Sequence, residues 1–152
     1  PIDWTKVKAG EVYRPASAPD IAKKPFNIEC EIRGENPSGV IIAHGGSAVG
    51  YSLYIKDGNV VFAVRHGSGS IERVTTPAAA GDLEIAAAIA KDGTMSLILN
   101  DGGTTKSKSP GLIDRHPQED LCIGHDNKNP VDSNAPSAAF QGEIIRASVS
   151  LQ

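Results

Sequence analysis

Tyr51-Ser-Leu-Tyr-Ile-Lys-Asp-Gly-Asn-Val-Val-Phe-Ala-Val-Arg65 is the stretch whose reading decides the fold. Asp57-Gly58 is the dipeptide favoured by a two-residue type I′ hairpin turn, whose central residues both need φ > 0. Register follows from the turn, so the cross-strand partners can be written down. Ile55 faces Val60, Leu53 faces Phe62 and Tyr51 faces Val64, which makes one face wholly apolar. The other face pairs Lys56 with Asn59, Tyr54 with Val61, Ser52 with Ala63, and Gly50 with Arg65. One side builds a core and the other carries polar groups around a tyrosine. The spacing predicts one sheet of an all-β, two-sheet antiparallel sandwich.

Outward from this hairpin, runs at 26–33, 39–44, 70–75, 83–90, 94–100, 119–124 and 140–151 read as further strands between Gly, Pro, Asn and Asp clusters. Residues 1–24 read as irregular, because Pro15, Pro19 and Pro25 oppose a long helix. Trp4 is expected to pin that segment to the sandwich, one indole burying a large apolar area. The whole chain, 1–152, is expected to be a single β-sandwich domain. The Ala-rich run from Ala78 to Ala90 competes as helix, but Leu83, Ile85 and Ile89 share one alternating row. A second turn at Asp92-Gly93 would set Ala90, Ala88 and Ala86 opposite Met95, Leu97 and Leu99. Gly142, inside the last strand, is expected to mark a bulge, since Phe140 and Ile145 otherwise fall on opposite faces.

Composition narrows the function classes. The chain has 152 residues, 15 basic and 18 acidic side chains and a net charge of −3, so no basic patch points to nucleic acid. The run from Leu83 to Ala90 is far below the ~20 residues that span a membrane, and no membrane span is expected. Cys30 lies in the period-2 row Phe26, Ile28, Cys30, Ile32, where a buried free thiol is common. A bridge to Cys122 would need their Cβ atoms within ~4.5 Å, and free thiols are favoured. No Gly-x-Ser-x-Gly elbow or His-Glu-x-x-His helix is present. The four histidines form no His-x-His group, and His44, His66, His116 and His125 are expected at strand ends or in loops, making local hydrogen bonds.

Four segments carry a family resemblance: Gly39-Val-Ile-Ile-Ala-His-Gly-Gly46, Gly50-Tyr-Ser-Leu-Tyr-Ile-Lys-Asp-Gly58, Leu121-Cys-Ile-Gly-His-Asp126 followed by Pro130-Val131, and Phe140-Gln-Gly-Glu-Ile-Ile145. In this order they resemble a concanavalin A-like jelly roll, and more narrowly the laminin-G-like domains near the C-terminus of many bacterial sulfatases. The likeness covers roughly residues 25–151. It implies a non-catalytic module, glycan-binding or accessory to a carbohydrate-processing protein such as a sulfatase, in an extracellular or periplasmic setting. The implied partners are a polysaccharide or sulfated glycan and a catalytic domain of the same parent protein. A structural or protein-interaction domain is the second reading and a glycoside-active enzyme the third. Hydrolases on this fold carry Glu-x-Asp-x-x-Glu on one strand, which is missing here. Neither Cys30 nor Cys122 sits in the Cys/Ser-x-Pro-x-Arg setting of a sulfatase nucleophile.

Two candidate sites remain. Ser52, Tyr54 and Arg65 share the polar face of the hairpin, where a guanidinium beside a phenol would suit a hydroxyl-rich or sulfated sugar. Only one Trp and three Tyr are available as stacking platforms, which weakens that reading. In the long loop after Ile123-Gly124, Asp126, Asn127, Asn129, Asp132 and Asn134 offer oxygen donors. The resemblance implies a calcium site at a rim, with Asp126, Asn127 and Asp132 as candidate ligands, although no cofactor is required. Pro130 and Val131 interrupt the alternate-residue series of an EF-hand, and Asx side chains also cap turns without any metal.

Overall fold

The computed structural model describes all residues from Pro1 to Gln152. Ten strands follow one another: β1 (Val12–Tyr13), β2 (Phe26–Gly45), β3 (Gly50–Lys56), β4 (Asn59–Gly67), β5 (Ser70–Pro77), β6 (Leu83–Ile89), β7 (Thr94–Leu99), β8 (Thr104–Lys108), β9 (Leu121–Ile123) and β10 (Gln141–Leu151). The only helical turn is a 3-10 turn at Pro15–Ser17. No helix is long and apolar enough to cross a membrane.

All pairings are antiparallel, and β2 belongs to both layers. Its first half pairs with β6 and β10, and its second half with β3 and β9. One layer runs β1-β9-β2-β3-β4-β5, the other β10-β2-β6-β7-β8. The sequence reading split this strand at 34–38, where Gly34 and Pro37 look like a turn. The structure corrects that: β10 runs beside both halves, and its pairing jumps from Glu143–Arg33 to Gln141–Ser38. The bulge expected at Gly142 sits at this jump and lets the two strands bend together.

The β3–β4 hairpin has the register dictated by its turn, from Lys56–Asn59 to Gly50–Arg65. Asp57 (φ 50°) and Gly58 (φ 77°) both take the positive φ that a type I′ turn needs. The β6–β7 register is one residue away from the expected one. Ile85, Ala87 and Ile89 pair with Leu99, Leu97 and Met95. The cause lies in the turn. Gly93 N donates to Ala90 O and Gly93 takes φ 89°, the geometry of a three-residue loop with a bulge. The slip sets the β6 isoleucines beside the large β7 side chains, and these two rows face the core.

The main core is a cluster of 28 buried residues between the sheets, with Phe26, Tyr51 and Phe62 as its largest inward side chains. Val7, Ala18 and Ile21 of the N-terminal segment belong to it, and Trp4 packs against it. Each fully buried Leu, Ile or Phe contributes ~1.5–3 kcal/mol. Both cysteines are buried and free. Of the histidines only His125 makes the expected local hydrogen bond, with Ile123 O. His66 and His116 instead reach Leu112 O and Pro15 O, 46 and 101 positions away, and His44 is fully buried without a partner. It lies opposite Tyr51 in the register and so faces the core.

Candidate functional site

The outer face of the β3–β4 hairpin is not open to solvent. Ser52 and Tyr54 are 0% and 2% exposed. Val40, Ala43, Tyr54, Val61 and Ala63 form a second buried cluster, with Ile71 and Ala135 packed against it. The cover is the long loop between β9 and β10, residues 124–139, lying as a strap across the sheet. Its base is closed by two backbone bonds, Gly124 N to Ile41 O (2.8 Å) and Phe140 N to Gly124 O (3.0 Å). Closely spaced ends with side chains packed beneath are the marks of an Ω-loop.

Four side chains of the sheet anchor the strap. Arg73 reaches Asp132 through two bonds, Nε to Oδ2 (2.8 Å) and Nη2 to Oδ1 (2.9 Å). Tyr54 donates its hydroxyl to Asp132 Oδ2 (2.8 Å). Arg65 Nε donates to Val131 O (2.9 Å), and Lys56 Nζ to Asn134 O (2.8 Å). Small residues make the room. Ala43, Ser52 and Ala63 form one cross-strand row that ends at Arg73. In the next row a Cβ on Gly50 would stand 2.9 Å from Cγ2 of the buried Val131. Burial alone would raise the Asp132 carboxyl, but the bonds from Arg73, Asn134 N and Tyr54 outweigh it and hold it below its ordinary value. The Tyr54 phenol is pushed up by burial and by the Asp132 carboxylate.

The two sites read from the sequence are therefore the two halves of one contact. Ser52, Tyr54 and Arg65 were expected on an exposed sugar-binding face; they lie beneath the strap because the Asx-rich loop supplies the acceptors that the face needs. Arg73 went unnamed at the sequence level, although Val74 points into the core and strand alternation alone puts Arg73 on the outer face.

The proposed calcium ligands do not form one donor set. Asp126 Oδ1 accepts from Asn127 N (2.7 Å) and its Oδ2 from Val131 N (3.0 Å). Asn127 Oδ1 accepts from Asn129 N (2.7 Å), and its Nδ2 donates to Gly45 O (2.6 Å). Asp132 is taken up by Arg73 and Tyr54. These are turn-capping and anchoring bonds, and a cation already stands at Asp132. No group of three His, Cys, Asp or Glu converges anywhere on a common point. Burial raises the Asp126 carboxyl, and the bonds from Val131 and Asn127 offset that only in part.

What the strap leaves accessible is a cleft of ≈ 390 Å³ with Asp126, Asn127, Lys128, Ser133, Ala135 and Ser137 in its walls. Its lining offers hydroxyls, an amide, one ammonium and one carboxylate, a donor and acceptor set suited to a polar ligand.

No protein-family model matches the chain, and no curated protein does. Solved structures do. The LG1-3 region of the laminin alpha2 chain matches with TM-score 0.70 at 18% identity, over 94% of this chain and 31% of that one. Mouse laminin alpha1 chain domains LG4-5 match with TM-score 0.68 at 20% identity, over 95% and 40%. A structure of botulinum neurotoxin type C, whose passage into cells is dependent upon interaction with two ganglioside molecules, matches with TM-score 0.56 at 18% identity, over 83% and 32%. The binding domain of botulinum neurotoxin DC matches in complex with SialylT and in complex with rat synaptotagmin II, with TM-scores of 0.60 and 0.59. The chain spans 31–40% of the length of these neighbours. The fold is the jelly roll of laminin G domains and neurotoxin binding domains.

Proposed function

We propose that this chain is a non-catalytic binding module whose ligand is a glycan held in the cleft of the 124–139 strap. In this reading it is an extracellular or periplasmic accessory domain of a carbohydrate-processing protein such as a sulfatase. One observation carries the proposal: the sheet spends four side chains on holding a polar, walled cleft in a fixed shape. Pre-organisation of that kind lowers the ordering cost of binding. The ganglioside-dependent and SialylT-bound neighbours support a sugar as the ligand class. Tyr54 and Arg65 then serve binding from below, as anchors of the strap, and Ser52 only as a small buried side chain beneath it. A glycan array including sulfated polysaccharides tests this, run on the wild type beside Lys128→Ala and Ser133→Ala. Binding that both substitutions weaken supports the reading, and an empty array removes it.

One observation favours a second reading, a protein-interaction domain. Tyr51 and Tyr54 are buried and Trp4 packs on the core, so the cleft has no aromatic platform. The neighbour in complex with synaptotagmin supports this alternative. Pull-down of a protein from an extract of the source cells, by a chain silent on the array and with loss on Lys128→Ala, would favour it.

A further inference from the structure

Five buried side-chain polar atoms have no hydrogen-bond partner, and four of them gather in one place: both ring nitrogens of His44, the Tyr51 hydroxyl and Nδ1 of His116. The His44 ring stands 5.1 Å from that of His116 and 6.1 Å from that of Tyr51, edge-on to both. Buried polar groups in folded proteins are almost always paired, so a concentration of unpaired ones marks a place held in tension. The location matters. His116 lies in the connection between β8 and β9, and it is the side chain through which that connection grips the N-terminal segment. Its Nε2 donates to Pro15 O at 2.7 Å, and its Nδ1 lies 3.5 Å from Asp20 Oδ1. Lys23 N donates to Ile113 O (2.7 Å), tying the same two stretches through backbone.

We propose that the His44–His116 pair is a proton-operated latch that holds segment 14–24 on the sandwich and releases it on acidification. His116 is held by one bond, Nε2 to Pro15 O, while its Nδ1 has no hydrogen bond and stands 3.5 Å from Asp20 Oδ1. A proton on His44 would place a cation inside the protein, edge-on to the His116 ring, with no acid able to reach it. The groups around the pair bear this out. Tyr51 comes from β3 and is neutral. Asp20, on the N-terminal segment, stands 3.5 Å from His116 Nδ1 and pairs with Lys24 at 3.5 Å. The Glu119 backbone favours the protonated His44, but burial and His116 outweigh it, and the Glu119 carboxylate accepts from Asn129 Nδ2 at 3.1 Å.

The sign follows. Burial first, and His116 second, lower His44 from 6.5 to about 4. Between those two values the closed form binds fewer protons than a form in which His44 meets water. Acidification through that window therefore favours opening, and neutral pH favours closure.

Trp4 is the only tryptophan and shares a surface hollow with Ala16, Ala18 and Pro19, so its emission reports on the segment. Trp4 fluorescence and far-UV circular dichroism of the full chain are followed together from pH 8 to pH 3.5. The latch requires the fluorescence to shift to longer wavelength between pH 6.5 and 4, before the β-sheet signal is lost. His44→Phe removes the titrating ring and should move the midpoint down by about one pH unit or more. Should His44→Phe fail to fold, His116→Gln keeps a donor for Pro15 without a titrating ring and must produce the same displacement. Coincident loss of both signals overturns the latch. So does a midpoint that ignores both histidine substitutions but moves with Asp20→Asn.

Discussion

At the contact between strap and sheet, the side chain of Asp132 is 0% exposed and that of Arg73 is 34% exposed. The two partners are therefore unequal. Arg73→Met leaves a carboxylate sealed from water with only Tyr54 and Asn134 N as donors, and should cost ~3–5 kcal/mol. Asp132→Asn leaves a guanidinium that can turn to solvent, and should cost less, ~1–3 kcal/mol. Urea denaturation of both variants checks the order. An equal or reversed loss would mean the strap is held by something other than this pair. The pH dependence carries a sign as well. The folded Asp132 carboxyl is held low, so its stabilisation is complete above the unfolded value of ~3.9 and is lost as pH falls through the folded value. In Arg73→Met the largest lowering cause is gone, Asn134 N and Tyr54 remain, and burial favours protonation. The deficit against wild type should shrink as the pH is lowered from 7 toward 4.

The turns at Asp57-Gly58 and Asp92-Gly93 look alike in sequence and differ in structure. A Cβ on Gly58 meets nothing within 4 Å, whereas one on Gly93 would come 2.5 Å from Ser109 O. Both residues have positive φ, so alanine at either strains the backbone by ~1–2 kcal/mol. Gly93→Ala adds a collision with backbone and should lose at least about 1 kcal/mol more than Gly58→Ala by chemical denaturation. The β3–β4 register was legible because a two-residue turn admits one pairing. The β6–β7 register was not, since the same dipeptide also ends a three-residue loop. The strand β8, Thr-Thr-Lys-Ser-Lys, carries no apolar alternation. It is an edge strand whose backbone pairs only with β7, with one side-chain bond from Thr76 of β5 to Thr105, and its lysines are the kind of charge that guards an edge. The division of β2 was misread because Gly34 and Pro37 bend a strand as readily as they end one. The strap escaped because its contact joins residues 78, 66 and 59 positions apart, and no local pattern encodes such a meeting.

In the whole molecule, the strap makes a third layer upon one sheet of the sandwich, and this settles how the calcium question should be tested. Divalent cations need several oxygens turned toward one point, at ~2.3–2.6 Å for calcium. Here Asp126 faces the amides of Asn127 and Val131, while Asp132 faces Arg73. Those bonds would all have to break before either carboxylate could turn to a metal, and the charge of Arg73 would then oppose the ion. Adding calcium, or removing it with EDTA, should therefore leave the melting temperature unchanged. Asp126→Asn should lower it in either condition alike. The substitution weakens the acceptor for two backbone amides at a cost of ~1–2 kcal/mol, or roughly 2–8 °C for a chain of this length. A melting temperature that climbs with calcium in the wild type, and fails to climb in Asp126→Asn, would show that the strap rearranges around an ion and that the turn-capping account is wrong.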